Sequence, residues 1–278
     1  MGIRIVTLSE NTAGQPDMLA EWSSSILIES DKKNILLDAG ASISVTQNAD
    51  RLGIDLRKID QIVLSHGHFD HTGGLRLLLS KIKRQVEIIA HPDIWNLEYS
   101  RHEGRPDRFI GIPYRQSELE SLGAKFILSK DPVNISENVL TTGEIPLTTD
   151  FEKIEESFFV KTDNGWMLDQ LLDDLALIIK TPSGLVVILG CGHRGMINTL
   201  YHARNLTGIK KVRIVLGGCH LKDASDEQIW QTVSALNEME VQKLALSHCT
   251  GMRATLILAQ TYGPNFIFNN AGTIINLD

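Results

Sequence analysis

The segment His66-Gly67-His68-Phe69-Asp70-His71 packs three imidazoles and a carboxylate into six residues, directly behind the apolar run QIVLS at 61–65. Such a run reads as a buried strand. In an extended turn, residues two apart project to the same side, so His66 and His68 can grip one metal ion together. Asp70 and His71 stand at the entry to the next helix, where they can face a second ion. Gly73 and Gly74 let the backbone turn closely beneath. With nine histidines in 278 residues, three at such fixed positions arise by chance roughly once in a hundred chains. The competing reading is a polar loop whose histidines are hydrogen-bonded in the core.

Three later segments repeat the theme. Gly190-Cys191-Gly192-His193 follows the apolar run 185–189, Gly217-Gly218-Cys219-His220-Leu221 follows 212–216, and Ser247-His248-Cys249-Thr250-Gly251 follows 243–246. Each sets a histidine at the C-terminal end of an expected strand, where α/β proteins gather their sites. Six of the nine histidines thus fall at strand ends expected to converge on one pocket, and all three cysteines lie within two residues of them.

The surrounding pattern is an alternation of strands and helices. Strands are expected at 4–8, 25–29, 34–38, 61–65 and 86–90, with a turn at Asp31-Lys32-Lys33 and helices at 43–52 and 75–82. The second half repeats this, with strands at 175–181, 185–189, 212–216, 243–246, 266–268 and 273–276, and helices at 195–205, 225–239 and 251–262. Strands in both halves with helices between them point to two sheets face to face with helices outside, a four-layer αββα arrangement. Residues 91–170 hold five of the eight prolines and show weak periodicity. They read as an insertion within one domain spanning 1–278, carrying loops and short elements that cover the site.

These motifs resemble the metallo-β-lactamase fold superfamily, whose signature HxHxDH is matched at every position. HGHFDHTGG, GCGH, GGCHL and SHCTG, with Gly143-Glu144-Ile145-Pro146, resemble one branch of it, the 7,8-dihydropterin-6-methyl-4-(β-D-ribofuranosyl)aminobenzene-5′-phosphate synthases and related metal-dependent hydrolases. Gly192 and Cys219 depart from that branch's usual GCSH and GGFHL without touching a histidine. The resemblance runs from Ile5 through Thr273. It implies an αββα sandwich with one or two metal ions held by His66, His68, Asp70, His71, His193 and His248. The superfamily commonly adds an Asp, sometimes a Cys, from a later strand, and no Asp stands at these strand ends. Either His220 or Cys191 fills that position, or the site departs from the pattern. His220 can instead donate a proton or hold a substrate anion, and Cys191 and Cys219 can sit behind the ligands or simply fill space.

Nitrogen-rich ligation suits zinc first, with iron or manganese as alternatives. The implied chemistry is a metal-dependent hydrolase or transferase, with Asp70 orienting the nucleophile and His220 serving the leaving group. An ester, lactone or phosphoester hydrolase is the alternative, and a di-iron redox enzyme or a non-catalytic binding module the more distant ones. Arg101, Arg105, Arg108 and Arg115, with Tyr99, Phe109 and Tyr114 among them, suit a phosphorylated heterocycle. Residues 98–115 carry a net charge of only +1, however, which also fits a solvated face.

A formal charge of −7 argues against wrapping nucleic acid but not against a small anionic substrate beside metal ions. No apolar run approaches the roughly 18 residues of a membrane span. The N-terminus shows no signal-peptide pattern, and Val6 stands where myristoylation needs Ser or Thr. With an odd number of cysteines, this leads to the expectation of reduced thiols and a cytoplasmic protein.

Overall fold

A computed structural model describes residues 2–30 and 32–277. The chain divides into two compact units: Met1–Ser129 with Ile154–Asp173 and Asn270–Asp278, and Lys130–Lys153 with Asp174–Asn269.

The first unit is built on a seven-stranded sheet in the order Ile274–Leu277, Ile3–Ser9, Ser25–Ser30, Asn34–Leu37, Gln61–Val63, Val86–Ala90, Ala124–Leu128. The first four strands pair antiparallel and the rest parallel. Ile26 stands opposite Leu37 and Ile28 opposite Ile35 in the hairpin; Asp31 of its expected turn lies outside the described residues. The parallel strands carry Ile and Val on both faces, and Ile62, Val63, Ile88 and Ile89 are all buried, as parallel strands require. Helix Leu75–Ile82 buries Leu75, Leu78, Leu79 and Ile82, an i, i+3, i+4, i+7 stripe that joins Ile62, Leu64 and Ile88 in one core. Helix Ser44–Arg51 adds Val45 and Ala49 to the same core.

The second unit has a six-stranded sheet in the order Phe266–Phe268, Lys243–Leu246, Val212–Gly217, Gly184–Leu189, Ala176–Thr181, Val139–Thr141. Its first four strands are parallel. Parallel neighbours need long crossovers, and helices Met196–Thr207, Asp226–Glu238 and Met252–Tyr262 provide them. Their apolar sides, including Leu200, Leu236 and Leu258, share a core with Leu185, Val187, Val215 and Leu244.

Residues 91–170 serve three places. Ala124–Leu128 extends the first sheet and Val139–Thr141 the second, while Glu98–Ser100, Arg108–Phe109, Phe158–Thr162 and Gly165–Leu168 form a small antiparallel sheet in the first unit. These strands are short and several are exposed, so their pattern along the chain is faint. No helix among the described residues is long and apolar enough to cross a membrane.

Candidate metal centre

In the first unit, strand Gln61–Val63 leads into Ser65-His66-Gly67-His68, and His68 is the N-cap of the one-turn helix Phe69–Thr72. The chain therefore reverses over its own histidines. Ring centroids lie 4.6 Å apart for His66 and His68 and 4.2 Å apart for His66 and His71. Asp70 Oδ2 stands 4.0 Å from His71 Nε2. All four side chains are buried. Their donor atoms satisfy metal-site spacing pairwise: His66 with His68, His66 with His71, and Asp70 with His71 each come within 4.8 Å.

Asp38, which the sequence reading left in a strand, organises this cluster. Its Oδ2 meets His71 Nδ1 at 2.6 Å and accepts the Ser65 hydroxyl at 2.8 Å; its Oδ1 accepts the Ser65 amide at 2.7 Å. A carboxylate only accepts, so His71 Nδ1 carries the proton. Ser65 has given its single hydroxyl proton to Asp38, so at 2.9 Å it accepts from His66 Nδ1. In neutral imidazoles both protons therefore sit on Nδ1, and Nε2 carries the lone pair. That is the form that ligates metal, and a carboxylate behind the ring is the usual means of enforcing it. Asp38 itself has φ 61°, a strained setting for a non-glycine residue and one that aspartate tolerates.

The rest of the first-unit setting is acidic and apolar. Gly67 donates its amide to Asp173 Oδ2 at 2.7 Å. The Glu98 carboxylate packs over Gly67, and its Oε2 is 4.0 Å from His68 Nε2. Burial first, then the neighbouring Asp173, Asp169 and Asp93, push Glu98 well above the usual carboxylate range. Phe158 from the small sheet meets the His68 ring edge-on at 5.1 Å. Gly73 and Gly74 act differently from expectation. Both have ordinary helical backbone angles, but a Cβ would stand 2.2 Å from the Ala41 carbonyl and 2.0 Å from that of Ala39. They permit close backbone approach rather than an unusual turn.

In the second unit, the loops after three parallel strands carry the remaining candidates. His193 and His220 have ring centroids 4.3 Å apart. His220 and His248 adopt φ 47° and 54°, left-handed settings that cost about 1–2 kcal/mol each. Cys191, His248 and Cys249 place their donor atoms within 4.8 Å of one another. Cys249 Sγ donates to the Cys191 carbonyl at 3.3 Å and accepts the His220 amide at 3.3 Å. Burial pushes the Cys249 thiol up, but a hydrogen bond from the Cys191 side chain and the charges of His248 and His220 outweigh that and hold it below the usual thiol range. Cys219 turns to the Thr250 hydroxyl at 3.4 Å, and burial pushes its thiol far up. Asp174 accepts the Arg194 amide at 2.9 Å and is pushed up to about 7 by burial.

The four arginines have separate surroundings. Arg101 stacks on Trp166 at 4.1 Å and pairs with Asp107, Arg108 lies over Phe69 at 5.0 Å, and Arg105 and Arg115 are exposed. Of these, Arg108 stands beside the histidine motif. The three histidines outside the motifs have local partners: His91 Nδ1 accepts the Asp93 amide, His102 meets Ser100, and His202 donates to the Thr142 carbonyl.

Fold and motif together define a class. The metallo-beta-lactamase superfamily model matches residues 23–152, and the chain belongs to that superfamily. Within it, the chain is 34% identical to the 7,8-dihydropterin-6-methyl-4-(beta-D-ribofuranosyl)-aminobenzene-5′-phosphate synthase of Methanocaldococcus jannaschii, over 98% of its own length and 96% of that protein. Among solved structures it resembles Tm1679, described as a metal-dependent hydrolase of the beta-lactamase superfamily, with TM-score 0.85, 29% identity and 99% of both chains covered. YhfI of Bacillus subtilis, a metallo-beta-lactamase fold protein, shares the fold at TM-score 0.61 and 14% identity over the whole of both chains.

Proposed function

We propose that this protein is a metal-dependent enzyme acting on a small, anionic, phosphorylated substrate, with chemistry akin to that of its synthase relative. In this reading His66, His68, Asp70, His71, His193 and His248 hold one or two divalent ions, zinc first, with iron or manganese as alternatives. The observation that carries it is the Asp38–Ser65 relay, which sets both His66 and His71 in the ligating tautomer. Such an ion supplies Lewis acidity toward a phosphate or carbonyl oxygen and brings the pKa of its bound water down to about 7.

The chain's own groups supply the rest. Asp70 carries negative charge beside His71 and orients the nucleophile. His220, its ring tilted against that of His193, delivers a proton to the departing group. Glu98 and Phe158 limit water around His68. Arg108 is the arginine best placed for an anionic substrate, with Arg101, Arg105 and Arg115 contributing charge around it. A second reading, hydrolysis of an ester, lactone or phosphoester, draws support from the likeness to Tm1679. A cytoplasmic location accompanies either.

The test is metal analysis of purified protein, paired with a substrate panel of pterin-type pairs, phosphoesters and lactones. Stoichiometric transition metal, reduced together with activity in His68→Ala, supports the reading. Protein without such metal, with activity unchanged by that substitution, overturns it. Turnover of the pterin-type pair, as opposed to the esters, separates transfer from hydrolysis.

A further inference from the structure

We propose that Cys191 and Cys249 bind metal through sulfur together with His248, forming a mixed sulfur–nitrogen site for a borderline or soft divalent ion such as zinc or cadmium. The inference rests on the metal-enzyme reading for His248 alone; the two thiols are additional to the ligands named there.

The geometry is that of a site short of its ion by a small adjustment. The two Sγ atoms and a ring nitrogen of His248 lie within 4.8 Å of one another, on residues that are all buried. Two thiolates sharing a zinc ion stand no more than about 4.6 Å apart, twice a Zn–S bond of about 2.3 Å. The surroundings make room for charge on sulfur. Gly218 leaves the approach to Cys249 open, since a Cβ there would stand 2.6 Å from Sγ. The His220 amide points its proton at the same sulfur from 3.3 Å. Asp174, within electrostatic reach of Cys249, is a buried carboxyl whose Oδ2 accepts from Arg194. A buried carboxylate is stabilised by a nearby cation. Cys219 serves as the internal contrast, because its thiol is committed to Thr250.

Binding replaces each S–H bond by an S–metal bond and releases one proton to solvent per cysteine, two in all, with no change of oxidation state. Thiolate donors favour zinc and cadmium over magnesium, calcium or manganese.

Cobalt(II) is the probe, added to the full-length protein. The expected result is a thiolate-to-cobalt charge-transfer band in the near ultraviolet, reduced by roughly half in Cys191→Ser and in Cys249→Ser and abolished in the double variant, as expected for two sulfur donors. His68→Ala leaves the band unchanged, which separates this site from the histidine cluster. Zinc X-ray absorption on the unaltered protein shows sulfur neighbours at about 2.3 Å and decides the matter if the serine variants fail to fold. Cobalt bound without the band, or a band that persists in the double variant, overturns the thiol site and leaves the reading of His66, His68, Asp70 and His71 intact. Protein that binds no cobalt overturns both.

Discussion

Replacing Asp38 by Asn changes almost no volume and one essential property. Asp38 presents acceptors to three donors: the Ser65 amide at 2.7 Å, the Ser65 hydroxyl at 2.8 Å and His71 Nδ1 at 2.6 Å. Asparagine keeps one acceptor oxygen, which the Ser65 amide holds, and turns an NH₂ toward the other two partners. Two donors cannot share a hydrogen bond, so His71 must present a lone pair at Nδ1 and carry its proton on Nε2. The ring is then in the wrong tautomer to ligate through Nε2. Asparagine also accepts the backbone setting of φ 61° as well as any residue except glycine, so the fold survives. Loss of an outer partner of this kind costs about 10–100-fold in metal affinity, which is about 1.4–2.7 kcal/mol. Alanine would be harsher. It strands all three donors at about 1–3 kcal/mol each, a sum comparable with the whole stability of many domains, about 5–15 kcal/mol. The assay is zinc titration against a chromophoric chelator, with the His71 tautomer read by nitrogen-15 resonances in metal-free protein. An Asn variant that binds zinc like the parent and keeps its proton on Nδ1 would refute the relay.

Three further outcomes follow from other contacts. Glu152 caps helix Met196–Thr207 from outside, accepting the Ile197 and Asn198 amides at 2.8 Å each where Gly195 has no side chain to do so; Glu152→Ala should cost about 2–5 kcal/mol in urea unfolding, and an unshifted midpoint would show the cap to be idle. Asp174 titrates near 7 in the folded chain against an ordinary 3.8, because of burial. The native state therefore keeps an extra proton between about pH 4 and 7, and the stability of metal-free protein falls as pH rises through that window. Asp174→Asn retains the acceptor for Arg194, so it should remove this slope and gain up to about 4 kcal/mol above pH 7; an unchanged slope would assign the pH dependence elsewhere. Gly74→Ala forces a Cβ to within 2.0 Å of the Ala39 carbonyl and should lower the melting temperature by the equivalent of about 1–3 kcal/mol, with normal melting as the contrary result.

Legibility along the chain followed the range of the interactions. Helix Leu75–Ile82 and strands Val86–Ala90, Lys243–Leu246 and Phe266–Phe268 match the sequence reading residue for residue, because apolar periodicity within eight residues carries them. The strand Arg108–Phe109 is two exposed residues long, and Val139–Thr141 is three. The first is too short to show a period, and the second exists through pairing with Leu177–Ile179, far along the chain. The site divides in the same manner. The histidine motif is local and could be read directly. Asp38 acts on His71 from 33 positions away and Asp173 on Gly67 from 106 away. The only local hint for Asp38 was an acidic residue at the end of an apolar strand. Strain at His220 and His248 is likewise invisible until the backbone is traced.

The first unit is stitched from three separated stretches, and the last of them places Ile274–Leu277 beside Ile3–Ser9, with Ile3 opposite Leu277. The second unit needs nothing beyond Asn269. During synthesis the second unit therefore has all its residues before the first does, although the first begins the chain. Until the final strand arrives, Ile3–Ser9 remains a bare sheet edge, open to pairing with other chains. A released chain truncated after residue 269 should thus carry a folded second unit and an adhesive first one.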